Sequence, residues 1–417
     1  MTQRRWTVAT LLAICTSGMA ACSAVTPTPT HAPSAAASPG GESARPSILP
    51  PSSTPSPASD EPAPSFPEGD LRAEIDVVSI DPALTHPILE FASDGEGILF
   101  SSARAEDTGP DGAPDLWRIL PPHAEPELLW RNPERNHSIV KITGDLGLIA
   151  FVEMPLTGER AWNLWLLPRG AEEAVLLDSH PGDEDVSSLV PSVTVYENTV
   201  VWTAFDRGPV GAVSQLRIAR APDWEPQTIH ELIAADAELW LPSLRGSTLA
   251  YTEVHYGPDR STDERQVFLT STAPDAERRR LDSTGRATMP IVVEDAVLWK
   301  EADRGFSMFN WGRMFRYDLR TESVSRLRAT PQRYVNYPSA GHRFVAWWGA
   351  DSFRLGVYDL LLDEPRLVAA NSLESQGSEF RPHLAGDLLV WRHVVAFDPD
   401  DLGELRYAFL PPLREPR

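Results

Sequence analysis

Ile98-Leu99-Phe100, Ile149-Ala150-Phe151, Val200-Val201-Trp202, Leu249-Ala250-Tyr251, Val297-Leu298-Trp299, Val345-Ala346-Trp347 and Leu389-Val390-Trp391 are seven versions of one phrase. Two apolar residues run into an aromatic. The aromatics step by 51, 51, 49, 48, 48 and 44 residues. A period of about 20–50 residues marks a solenoid, a propeller or an array. Outward from each phrase the same features recur. Before it stands a Pro-led apolar run: Pro191, Pro242, Pro290, Pro338 and Pro382. Proline is tolerated at the first position of a strand, so each is expected to open one. After the phrase come a polar loop and a third alternating run, such as Leu164-Trp165-Leu166-Leu167 or Leu405-Arg406-Tyr407-Ala408-Phe409. A short fourth run follows, such as Glu127-Leu128-Leu129-Trp130. Period-two alternation rich in β-branched and aromatic residues reads as strand. Four strands in each unit of about 45 residues make a propeller blade. The fold class is therefore all-β, a seven-bladed β-propeller. A six-bladed ring, with the diverged unit at Pro87 misread, is the alternative.

The seventh unit stops after three strands at Pro411-Pro412, and residues 73–80, Ala-Glu-Ile-Asp-Val-Val-Ser-Ile, form a spare strand before the first. Ring closure follows, with the N-terminal strand completing the last blade and covering its edge. The recurring aromatic is expected to fill each gap between blades, where burial contributes on the order of 1.5–3 kcal/mol.

The propeller accounts for residues 69–413. Residues 1–21 read as an export signal, with Arg4 and Arg5 ahead of the apolar run Trp6–Cys15, too short to span a bilayer. Met19-Ala20-Ala21-Cys22 resembles a bacterial lipobox. That resemblance implies cleavage after Ala21, lipidation of Cys22, palmitate among its acyl chains, and a membrane-anchored, extracytoplasmic location. An ordinary cleaved signal with a stray Cys is the alternative. Residues 22–68 then read as a tether, since 12 of the 46 residues from Ser23 to Glu68 are Pro and large apolar side chains are few. Extended at about 3.1 Å per residue, it could hold the propeller well clear of a membrane.

The 417 residues carry a formal charge of −22, which argues against nucleic acid as a partner. Lys occurs only at Lys141 and Lys300; a bias in genomic composition explains the preference for Arg. Cys15 and Cys22 are the only cysteines, which leaves no disulfide framework for the fold.

Asp111-Gly112-Ala113-Pro114-Asp115-Leu116-Trp117 resembles the Asp-Gly-x-Pro-Asp-Ile-Tyr/Trp segment of TolB-like, WD-like propeller repeats. Tyr317-Asp318-Leu319 and Tyr358-Asp359-Leu360 resemble the end of the third strand in those repeats, and Asp206-Arg207-Gly208 and Asp303-Arg304-Gly305 resemble their turn. The family carries binding proteins, scaffolds and the gating domains of peptidases, so the resemblance specifies fold and leaves function open.

No Gly-x-Ser-x-Gly elbow, His-Glu-x-x-His or zinc-spaced Cys pair occurs, and only Arg414–Arg417 follow the last blade, so no enzyme is claimed. His383 lies on an inner strand and could face the central channel with Arg381; a hydrogen-bonded structural role is the expectation. No cofactor is required. Calcium is the weak exception: the acidic turn holding Asp398, Asp400, Asp401 and Glu404 offers closely spaced oxygens, without EF-hand spacing.

The expected function is a protein- or peptide-binding, or scaffold, module of the cell envelope. The alternatives are an enzyme acting on a cell-wall glycan or peptide in the channel and a purely structural lipoprotein. Loops joining second to third strands share a face with the connections between blades, and function favours such loops. Phe306, Phe309 and Trp311 form a stretch that does not recur and are the first expected contact patch. Arg207, Arg260, Arg304 and Tyr256 are further candidates, being residue types that dominate interfaces.

Overall fold

The computed structural model describes residues 76–80, 88–102, 114–122, 125–133, 136–156, 161–182, 190–208, 211–234, 236–258, 263–274, 276–302, 312–327, 335–349, 354–369, 378–394 and 403–411. They form 28 strands. A short strand β1 (Val78–Ser79) precedes blade 1, which holds β2 (Ile88–Ser93), β3 (Ile98–Ser102), β4 (Asp115–Ile119) and β5 (Glu127–Trp130). Blade 2 holds β6 (His137–Asp145), β7 (Leu148–Pro155), β8 (Trp162–Leu167) and β9 (Val175–His180). Blade 3 holds β10 (Val193–Tyr196), β11 (Thr199–Gly208), β12 (Gly211–Arg220) and β13 (Gln227–Ile233). Blade 4 holds β14 (Ala237–Arg245), β15 (Thr248–His255), β16 (Glu264–Ser271) and β17 (Arg279–Arg280). Blade 5 holds β18 (Ala287–Val292), β19 (Ala296–Ala302), β20 (Gly312–Asp318) and β21 (Val324–Arg326). Blade 6 holds β22 (Asn336–Ala340), β23 (Phe344–Gly349), β24 (Arg354–Asp359) and β25 (Glu364–Ala369). Blade 7 holds β26 (Ser378–Ala385), β27 (Leu388–Val394) and β28 (Glu404–Phe409).

Each of the seven sheets is four-stranded and antiparallel, and the seventh reads β1-β28-β27-β26. The first strands touch in succession around the ring, and β26 meets β2 to close it. The chain is a seven-bladed β-propeller, and the six-bladed alternative falls. Of residues 73–80 the structure describes 76–80, and the pairing there covers Val78 and Ser79. Val78 pairs with Tyr407 and Ser79 with Arg406, and the Ile80 amide donates to the Leu405 carbonyl at 2.9 Å. Ile80 is buried with Leu388, Val390, Leu405 and Tyr407, so one apolar side chain anchors the seam.

The phrase aromatics behave as packing demands. Phe100, Phe151, Trp202, Tyr251, Trp299, Trp347 and Trp391 are all buried in the core. Trp202 of blade 3, for example, packs with Leu148, Val152, Trp162 and Leu164 of blade 2. Asp115, within the segment resembling the TolB-like repeat, is buried and accepts the Asn132 amide at 3.0 Å, which ties the exit of the fourth strand to the third.

The recurring prolines need correction. Pro242, Pro290, Pro338 and Pro382 lie inside β14, β18, β22 and β26, each at an irregularity in the pairing with the second strand. Only Pro191 precedes its strand, β10. A bulged residue gives no ladder bond, so a proline there sacrifices none. The residue before each of the four has positive φ: Leu241 (49°), Met289 (56°), Tyr337 (47°) and Arg381 (45°). This left-handed backbone is uncommon outside glycine, and none of the four is β-branched. In blades 4 to 7 the bulge takes Leu241, Met289, Tyr337 and Arg381 out of the ladder with their prolines; in blades 1 and 2 the skipped residues are Leu89 and Val140, and Glu90 and Lys141 stay paired, with Ser101 and Val152.

Candidate functional site in the central channel

Counted ten residues back from the phrase aromatic, the inner strands supply Glu90, Lys141, Ser192, Leu241, Met289, Tyr337 and Arg381, one from each blade in ring order. All seven are partly exposed. They form one tier of the channel wall, and its chemistry is uneven. Blades 4, 5 and 6 contribute Leu241, Met289 and Tyr337; blades 7, 1 and 2 contribute Arg381, Glu90 and Lys141.

Neighbours within the tier interact. The Arg381 guanidinium lies over the Tyr337 ring, 5.3 Å from its centroid, and Tyr337 stacks on Trp348. Arg381 Nη1 sits 3.5 Å from Glu90 Oε2, a weak ion pair whose side chains are 27% and 12% exposed. Burial raises the Glu90 carboxyl, against the opposing pull of Arg381, Arg392 and Lys141. Burial likewise lowers the Lys141 ammonium, while Glu90 draws it back up. Two residues further along β26, His383 packs edge-on to Phe91 with centroids 5.2 Å apart. Burial, with Arg381 and Lys141 nearby, holds its imidazole down at about 4, so it is neutral at pH 7. The structure thus brings His383 and Arg381 to the channel as expected. The histidine's contact among the described residues is with an aromatic ring.

At one end of the channel the hairpin tips that join first to second strands are tied to one another. The Leu146 amide donates to the Asp94 carbonyl at 2.7 Å and the Glu197 amide to Asp145 Oδ2 at 2.6 Å. Arg245 of blade 4 reaches His342 of blade 6 at 3.0 Å, passing over blade 5. The opposite end carries the second-to-third-strand loops and the connections between blades.

On that opposite face the structure describes few of the sequence candidates. Phe306, Phe309, Trp311, Arg260, Arg304, Asp398, Asp400, Asp401 and Cys22 lie outside the described residues, and Arg207 is described only as backbone of β11. Tyr256 is described, and it is engaged within the fold. Its hydroxyl donates to Glu238 Oε2 at 2.6 Å, where Trp240 Nε1 also donates at 2.8 Å. Phe205, Trp240, Val254 and Leu241 pack around it. Burial raises the Glu238 carboxyl, which the two hydrogen bonds pull back down. Glu404 ion-pairs with Arg406 and accepts from the Ser79 hydroxyl at 3.3 Å, so it braces the closure seam. Among the described residues no group of three or more His, Cys, Asp or Glu is placed to hold a metal ion.

Neither family models nor curated proteins match this sequence. Solved structures do. The β-propeller domain of the Trilobed protease from Pyrococcus furiosus, which has an open velcro topology, matches at a TM-score of 0.55 with 11% identity, over 77% of this chain and 94% of that one. An oligogalacturonate lyase in complex with manganese matches at 0.50 with 14% identity, over 81% and 91%. TolB from Acinetobacter baumannii matches at 0.40 with 13% identity, over 76% and 78%, too low a score to weigh. The likeness is one of fold. Within that fold this chain differs from the protease propeller in its seam, where β1 completes the last sheet.

The channel tier was only partly legible. A residue ahead of a recurring proline is a visible position, and Tyr337 and Arg381 stand out there from Leu241 and Met289. Glu90 and Lys141 escape such a reading because no proline follows them.

Proposed function

We propose that this protein is a lipid-anchored, extracytoplasmic β-propeller that binds an envelope protein or peptide on the face opposite the hairpin tips. The observation that carries this is the asymmetry of the ring. At one end bonds tie neighbouring hairpin tips together, and Arg245–His342 passes over blade 5; the strands joined by the longest stretches of chain end at the other. Loops on a rigid frame are where binding residues concentrate. Phe306, Phe309 and Trp311 belong to the loop between β19 and β20 on that face and are the proposed contact patch. Arg207, Arg260 and Arg304 sit in or beside neighbouring loops as its charged rim. Tyr256 acts from within, since its hydroxyl is held by Glu238. Cys22 is the proposed lipid attachment, with residues 23–68 as spacer.

Two measurements test the reading. Cys22→Ser should move the protein from the membrane fraction to the soluble one and abolish labelling by radioactive palmitate. Phe309→Ala with Trp311→Ala should reduce cross-linking to partners in intact envelopes at least tenfold, as expected of aromatic anchors worth about 2 kcal/mol or more. Unchanged cross-linking, or turnover of a cell-wall glycan or peptide by the purified protein, would overturn the binding-module reading.

A further inference from the structure

We propose that the channel wall where blades 7, 1 and 2 meet binds a small organic carboxylate, held by Lys141, Arg381 and His383. The proposal is independent of the loop-face partner.

The charge pattern is the starting point. The chain carries −22 overall, yet this wall sets two cations, Lys141 and Arg381, against one carboxylate, Glu90. Arg392 adds positive potential from behind; it donates to the Ile88 carbonyl at 3.2 Å and lies over Phe91. The other inner-strand groups lie elsewhere in the channel. His137 pairs with Glu153, Glu238 holds Tyr256, and Asp145 and Arg245 belong to the hairpin tips.

Lys141 is the decisive group. Among the described residues its ammonium has no hydrogen-bond acceptor; it and Glu90 stand at matching register on the adjacent inner strands β6 and β2, each paired with the residue that follows its blade's phrase aromatic. The residue is only partly exposed, and its ammonium is not among the buried groups without a partner, so channel water is its present acceptor. A ligand carboxylate takes the place of that water. His383 contributes a neutral ring whose described contact is Phe91, and one of its nitrogens can donate to the second carboxylate oxygen. Arg381, already committed to Glu90 and Tyr337, adds charge more than direct bonds.

The pattern also limits the ligand. Glu90 remains in the wall and repels a second negative charge, so a monoanionic carboxylate suits the tier better than a phosphate dianion. Across the channel Leu241, Met289 and Tyr337 present an apolar and aromatic surface to the ligand's body. With the hairpin tips tied together at one end, access is from the loop face. The carboxylate can come from a free small acid or from the C-terminus of a peptide.

The full chain, purified in detergent, is titrated by calorimetry with benzoate, inorganic phosphate, and the peptide Ala-Ala-Phe with free and amidated C-termini. Saturable binding of benzoate or the free-acid peptide is expected, with at least tenfold weaker binding of phosphate and of the amidated peptide. Benzoate alone would identify a small acid as the source, and the free-acid peptide alone a C-terminus. Lys141→Met should weaken binding at least tenfold; Lys300→Met should leave it unchanged. Should Lys141→Met not fold, the wild-type chain still decides. Two lysines give two signals under 13Cε-lysine labelling, and saturating ligand should raise the apparent pKa of Lys141 alone. No saturable carboxylate binding, phosphate or amide binding as tight as the free acid, undiminished binding by folded Lys141→Met, or an unmoved Lys141 signal would each overturn the proposal.

Discussion

Lys300 shows what one residue can store. Its side chain is fully buried beside Trp299, and its ammonium donates to Asn336 Oδ1 at 2.9 Å across the blade 5–blade 6 boundary. Gly312 makes room for it, since a Cβ there would stand 2.6 Å from Lys300 Cε. Burial, with Arg265 adding repulsion, lowers the amine from 10.5 to about 7. Between those two values the unfolded chain holds a proton that the folded chain does not. Folding therefore strengthens as pH rises from about 7 to 10.5, and below about 7 the penalty is constant. Lys300→Met removes that dependence while leaving Asn336 without this donor, a pH-independent cost of about 1–3 kcal/mol. Denaturant titrations at pH 6, 7, 8.5 and 10 should show the wild type gaining on Lys300→Met above pH 7, by a few kcal/mol in all. Parallel curves would refute the buried, largely neutral amine.

At the scale of the element, β1 is the informative case. It is two residues long, and Val78 is exposed, so its own ladder contributes little. Closure rests on Ile80, 5% exposed, whose burial contributes about 1.5–3 kcal/mol. Placing a carboxylate there forfeits that burial and adds a desolvation penalty. Ile80→Asp is expected to lower Tm by several degrees and open blade 7 to limited proteolysis. Val77→Asp, at a site 42% exposed, should change Tm by about a degree at most. Equal effects from the two substitutions would mean that the seam is not what holds the ring. The inner strands teach a second lesson. Their prolines looked like strand starts because a sequence shows where an amide is missing and not whether a ladder bond was required there. Pairing register decides that, and it puts four of the five in bulges.

At the scale of the whole molecule, the ring is tied at its hub as well as at its seam. Gly341 at the tip of blade 6 faces the Gly386 carbonyl of blade 7, and a Cβ on it would stand 1.9 Å from that oxygen. The obstacle is backbone, so it cannot step aside. The His342 amide also donates to that carbonyl, at 3.4 Å. Gly341→Ala must push blades 6 and 7 apart and, through Arg245–His342, disturb blade 4. A destabilisation of about 2–4 kcal/mol is expected, read as a shifted denaturant midpoint with an unchanged slope. Gly170→Ala is the control, since a Cβ there meets nothing within 4 Å and carries only the strain of its φ of 72°. Equal losses in the two variants would show that the hub contact contributes nothing.

The sequence alone determined the repeat, the blade as its unit, the aromatic in each gap and the need for an N-terminal strand in the last sheet, while the structure decided for seven blades over six. What the sequence determined follows from local periodicity, because each blade must bury the same face in the same way. Tertiary structure alone decided that Glu90, Lys141, Tyr337 and Arg381, up to 291 residues apart, share one tier of one channel. It also decided that Tyr256 and Glu404 are spent within the fold. Proximity around a closed ring depends on how blades stack, and stacking leaves no period in the chain to read.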